Sequence, residues 1–312
     1  MSPTTLMWIV FALLISCMLV IDLGMNRKSG RVSFKKAATW TLIWMGLALL
    51  FDLGIYLSMG QQKAMEFLTG YLIEQSLSVD NLFVFIMIFT AFGVREELQA
   101  RVLKWGILGA IVMRLLFIFL GSALLKEFQW LFYFFGALLI YTSWKMAFSG
   151  DEEIEPDKNP LVKLARRFLP MTKQIRGDWF VTRKLGIWVA SPLFMVLLVV
   201  ESSDLVFAMD SIPAIFAITL DPFIVLTSNI FAIMGLRSLF FMLSNLMGMF
   251  AHLKFGIALI LAFVGIKMIL MMQGMHVPIT LSLAMIVITL AVSVLASILL
   301  RKPESDEALE TV

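Results

Sequence analysis

Residues 196–217 read VLLVVESSDLVFAMDSIPAIFA. Three carboxylates, Glu201, Asp204 and Asp210, interrupt a run that otherwise has the composition of a lipid-buried helix. One acidic side chain at mid-membrane depth costs about 2.5–3.5 kcal/mol on insertion scales, so several in one span call for a reason. A second stretch of the same kind, residues 71–89, reads YLIEQSLSVDNLFVFIMIF and carries Glu74, Asp80 and Asn81. The remaining chain is legible as a scaffold that brings the two stretches together.

Composition sets the class. Of 312 residues, 60% are hydrophobic and 15% charged, with a mean hydropathy of +0.93. A soluble domain of that length has nowhere to hide so much apolar surface, so the expected fold is all-α and polytopic in a membrane. The net charge of +3 then reports loop charge, and no basic groove or nucleic-acid signature accompanies it. The single cysteine, Cys17, rules out an intramolecular disulfide and a cysteine metal cluster. Residues 1–5 lack a positive leader, and the apolar run after them is long enough to span rather than to be cleaved.

Hydropathy marks nine spans, at 6–24, 38–57, 67–92, 103–124, 129–148, 186–208, 222–243, 253–272 and 279–300. Basic residues alternate between the loops. The first holds Arg27, Lys28, Arg31, Lys35 and Lys36, the third Arg95, Arg101 and Lys104, and the fifth, residues 149–185, eight more. The even-numbered loops are nearly bare, with Lys63 and Lys126. The positive-inside rule thus puts the N-terminus outside and the C-terminus in the cytoplasm. Residues 1–300 are expected to form one transmembrane domain, with 149–185 a solvated cytoplasmic loop bearing at most a short interfacial helix. Residues 301–312 would be a cytoplasmic tail.

The chain also repeats itself at an offset of about 120–127 residues. Glu74 and Asp80 with their apolar neighbours return as Glu201 and Asp204. GAIVMRLLFIFL (109–120) returns as FAIMGLRSLFFML (231–243), matching Arg114 with Arg237, and FGALLIYTSWKM (135–146) returns as FGIALILAFVGIKM, matching Lys145 with Lys267. Three spans per unit, 67–148 and 186–272, make the second unit inverted, and inverted-repeat transporters bind substrate near the midplane where equivalent helices meet.

Helical spacing puts Glu74 with Asn81, Ser76 with Asp80, and Glu201 with Asp204 on shared faces. Pro213 is expected to break its span and free carbonyls near Asp210. Carboxylates, an amide and hydroxyls without cysteine or histidine suit a hard cation such as Mg²⁺, Ca²⁺ or Mn²⁺, and a soft neighbour, Met209, tilts the choice toward a transition metal. Charge neutralisation is the competing reading, in which Arg114 and Arg237 pair with Asp80 and Asp204. Proton relay is a further use of the same groups. Lys145 and Lys267 are expected to snorkel. Asp22 and Asp52, in VIDLG and LFDLG near span ends, are candidates for an entry or exit path.

The stretches FLTGYLIEQSLSVDNLFVF, GILGAIVMRLLFIF, ESSDLVFAMDSIPAIFAIT and DPFIVLTSNIFAIMGLRSLFF resemble the TerC family of integral membrane proteins, most closely its Alx-like branch, over about residues 6–300. The family is grouped with small inner-membrane exporters of the LysE type. The resemblance implies Mn²⁺ efflux across a bacterial inner membrane and carries metal positions onto Glu74, Asp80, Asn81, Glu201, Asp204 and Asp210. A non-transporting scaffold that assists metalation or insertion of partner proteins is the alternative from another class, and an exporter of a small organic solute is a rival within transport. The spans hold no HExxH and no GxGD, so no intramembrane enzyme is expected.

Overall fold

The structure, a computed structural model, describes residues 3–24, 33–128, 130–148, 179–184, 187–244, 253–275 and 277–299. Its helices are α1 (Pro3–Gly24), α2 (Phe34–Met59), α3 (Gln61–Ala91), α4 (Glu96–Glu127), α5 (Leu131–Phe148), α6 (Pro192–Phe216), α7 (Pro222–Met234), α8 (Leu236–Ser244), α9 (Leu253–Met272) and α10 (Ile279–Leu299). Before α6 lies a hairpin of strands β1 (Val181–Lys184) and β2 (Ile187–Ala190), paired Val181 with Ala190 through Lys184 with Ile187. Among the described residues, nine segments are long and apolar enough to cross a membrane, with α7 and α8 forming one of them. The chain is therefore an all-α polytopic membrane protein.

Two expectations need correction. Residues 187–190, assigned to the sixth span, are strand, and the helix starts at Pro192 behind Ser191. Proline has no N–H to lose at a helix start, and its ring biases the preceding residue to extended backbone. The same helix then runs through Pro213 to Phe216 instead of breaking. Residues 211–216 are all buried, so packing holds the last turn together despite the missing donor. The interruption comes in the next span, at Gly235 between α7 and α8. Most of loop 149–185, and the tail from residue 300, lie outside the described residues.

Helix directions follow from contact pairs. Lys63 reaches Asp221, and Gly70 lies against Ser228, the same separation in sequence, so α3 and α7 are parallel. Gly106 lies on Val200 and Gly121 on Phe216, so α4 and α6 are parallel as well. Gly136 meets Gly265 while Ser143 donates to the Ala258 carbonyl at 2.7 Å, a constant residue sum, so α5 and α9 are antiparallel. All three relations are those of a chain that crosses on every span. Exchanging spans three to five for six to eight turns the α3–α7 pair into α6–α4 and returns α5–α9 to itself.

The α7–α8 span is buried along nearly its whole length, packed by α1, α2, α3 and α4. Rings from α1, α2, α3 and α7 (Trp8, Phe11, Phe51, Phe67, Phe223 and Phe231) lock one end, with centroids 4.8–6.2 Å apart. The interior is divided into two apolar clusters. The division falls between Leu77 and Leu82 on α3, Ile107 and Ile118 on α4, and Val200 and Ala208 on α6. At the α5–α9 crossing, a Cβ on Gly136 would stand 2.9 Å from the Gly265 carbonyl oxygen. Gly136→Leu should therefore cost about 1–3 kcal/mol by overpacking. A lower thermal midpoint of the purified protein would show it, with Gly46→Leu, at a site open for 4 Å, as the unaffected control.

Candidate functional site

The layer between the two apolar clusters is where the acidic residues lie. Asp204 stands at the midpoint of α6 and is 9% exposed. On α4, Arg114 is buried, and its Nη1 bridges two helices, pairing with the Glu74 carboxylate of α3 and donating to Asn229 Oδ1 of α7. Asn229 in turn donates its Nδ2 to the Val225 carbonyl at 3.1 Å, which fixes the amide with its oxygen toward the guanidinium. Glu74 is 1% exposed, and its Oε2 accepts no hydrogen bond from a described residue.

Glu201, one helical turn from Asp204, has its carboxylate against the backbone of Gly109, where a Cβ would occupy the same space. Asp204 lies within electrostatic reach of Arg114, Glu201 and Glu74. Glu74, Glu201 and Asp204 thus share one region with the Arg114 cation, and an ionised set carries an excess of negative charge where water is scarce. Such a set must recruit a proton or a cation to stay buried.

The predicted residues do not all meet there. Asp210 accepts a hydrogen bond from Thr142 of α5 at 3.0 Å. It is six residues along α6 from Asp204, about 9 Å away along the axis. Asn81 is buried on α3, two turns beyond Glu74. The Asp80 and Asp22 side chains lie outside the described residues, as do His252 and His276. Arg114 pairs with Glu74, which the competing charge-neutralisation reading had not named as its partner. Arg237 is buried on α8. Among the described residues, no three of His, Cys, Asp and Glu are close enough to hold one ion. Glu74 is held by the guanidinium, Glu201 lies at Gly109, and Asp204 is the group within reach of both acids and of Arg114.

Asn229, Thr142 and Gly109 were not singled out from the sequence. Asn229 had a signal, a lone amide in an otherwise apolar part of its span. Gly109 had none, since only the packed structure shows what fills its missing side chain. Lys267 does not snorkel; it is buried and donates to Ser282 at 3.0 Å. Lys145 is exposed, as expected. Near Gly60, Lys63 links Glu66 at 3.2 Å and Asp221 at 2.8 Å, tying the start of α3 to the cap of α7.

Two substitutions test this geometry. Arg114→Met strands the Glu74 carboxylate and should cost about 3–5 kcal/mol, most of it restored in the Arg114→Met/Glu74→Met double variant. Gly109→Ala should cost about 1–3 kcal/mol by driving Glu201 off α4, and adding Glu201→Ala should relieve it. Thermal midpoints of the purified proteins report both cycles.

Comparison with known proteins places the site in a lineage. The integral membrane protein TerC family matches residues 59–305. A relative in Escherichia coli K12, "Putative membrane-bound redox modulator Alx", is 47% identical over 293 residues, 91% of each chain. "Uncharacterized membrane protein STKORF319" of Myxococcus xanthus is 46% identical over 303 residues, 96% of this chain and 95% of its own. "Thylakoid membrane protein TERC, chloroplastic" of Arabidopsis thaliana is 44% identical over 275 residues, 88% of this chain and 71% of its own. No solved structure matches. With the family spanning most of its length and relatives this close, the chain belongs to the integral membrane protein TerC family.

Proposed function

We propose that the protein exports a hard divalent cation, with Mn²⁺ the favoured ion, across a bacterial inner membrane in exchange for protons. The reading rests on one observation: Glu74, Glu201 and Asp204, drawn from equivalent helices of the two three-span units, lie close to one another in the layer that holds Arg114. Acid in excess of base inside a membrane bundle is the usual mark of an ion path.

Arg114 acts as a tethered counter-ion in this scheme. With no substrate bound it neutralises Glu74 and is steadied by Asn229. An arriving divalent ion competes with the guanidinium for the carboxylates, so loading means displacing Arg114 and gathering Glu201, Asp204, Asp80 and Asn81 around the metal. Glu74 and Asp210 then relay protons or extend the path, and Arg237 does for the second unit what Arg114 does for the first. Movement of one unit against the other carries the site from one side to the other.

Two of the relatives named above carry words about redox modulation and thylakoid membranes, and those words apply to them. With one cysteine in this sequence, a redox role here would run through something other than an internal dithiol.

The test is the manganese content of cells grown with added Mn²⁺, measured by elemental mass spectrometry. Wild type should lower it against an empty vector, while Asp204→Asn and Glu201→Gln should not, at equal protein level. Full export by either variant removes the proposed site. Equal metal in all four cultures turns the reading to a scaffold that assists partner proteins.

A further inference from the structure

A second polar site lies away from the central layer, between α2 and α3. These helices are joined at Gly60, which takes φ +93°, and near that end they flank an open groove, a cavity with a volume of about 400 Å³. Its walls are largely apolar, with Leu49 and Leu53 on α2 and Ala64, Met65 and Leu68 on α3. One charged group faces it. Asp52 lines the cavity, and its Oδ1 is buried without a hydrogen-bond partner among the described residues.

Depth and access narrow the ligand. The 26 residues of α2 span about 39 Å against a hydrocarbon core of about 30 Å. Asp52 is seven residues from the helix end at Met59, so with α2 centred in the bilayer it sits only about 6 Å inside the hydrocarbon boundary. Leu49, Leu53 and Tyr56 are each half exposed on the side that meets lipid. A ligand can therefore enter sideways from the bilayer.

An orphaned carboxylate oxygen calls for a donor, and a cationic one is bound most strongly because it also balances the charge. A hard divalent ion wants six or more oxygens, and one carboxylate among leucines cannot replace its water. A primary ammonium is better matched. It presents three N–H donors, of which Asp52 takes one or two, while the Tyr56 hydroxyl and the Gln61 amide oxygen, also on the wall, are acceptors for the rest. The apolar walls suit the methylenes next to it.

We propose that this cavity binds the ethanolamine headgroup of an aminophospholipid, with Asp52 as the anchor for its ammonium. The site is separate from the central acids and does not depend on what the protein transports.

Native mass spectrometry of the full-length protein, titrated with dioleoyl phosphatidylethanolamine or dioleoyl phosphatidylglycerol, tests the assignment. Wild type should retain the ethanolamine lipid about tenfold more strongly, the worth of one charged hydrogen bond. Asp52→Asn should bring the two lipids level, and Ala64→Phe, which fills the cavity but spares the carboxylate, should do the same. Asp204→Asn should keep the preference, which separates this site from the proposed transport site. Equal retention by wild type, or a preference that survives Asp52→Asn or Ala64→Phe, overturns the proposal.

Discussion

Everything in the middle of this bundle depends on the Arg114 guanidinium. It is a permanent cation placed where solvation by water is poor, and it persists because Glu74 supplies charge from α3 and Asn229 supplies an oriented dipole from α7. Two consecutive helices and a third from the other half of the chain are joined through one planar group. The arrangement also keeps two other acids, Glu201 and Asp204, within the same field without giving them that partner. A polar layer of this kind between two apolar clusters contributes little net stability, but it is poised to respond to any added positive charge.

The apolar architecture serves that layer. Parallel contact of α3 with α7 and of α4 with α6 brings each acidic helix beside the arginine-bearing span of the other unit. Glycines make the approach close enough. At Gly109 the backbone of α4 is in contact with the Glu201 carboxylate, and at Gly70 a side chain would meet Ile215 and Ser228.

Much of this was legible before any coordinates. Runs of apolar residues about twenty long can do little else in a membrane, so the spans were readable in number and order, with ends up to eight residues out, and the acids stood out against them. Three things were not readable. Pro213 was taken for a helix breaker, but a wholly buried final turn offset its lost hydrogen bond. Residues 187–190 read as membrane helix because β-branched and aromatic residues look alike in hydropathy whether they form a strand or a span. The partner of Arg114 was not readable because one-dimensional spacing gives faces of a helix, not the rotation that brings Glu74 to the guanidinium. Asn229 was visible as an anomaly, yet its role needed the third dimension.

The contact of Gly136 with Gly265 has a mechanical meaning. Where two helices touch backbone to backbone they cannot come closer, and here Leu139, Ile140 and Ile269 pack against the two glycines and key the crossing in place. The two units are pinned to each other at that crossing. Contacts made backbone to backbone keep their spacing when side chains elsewhere repack, so the separation of the units is set at these glycines.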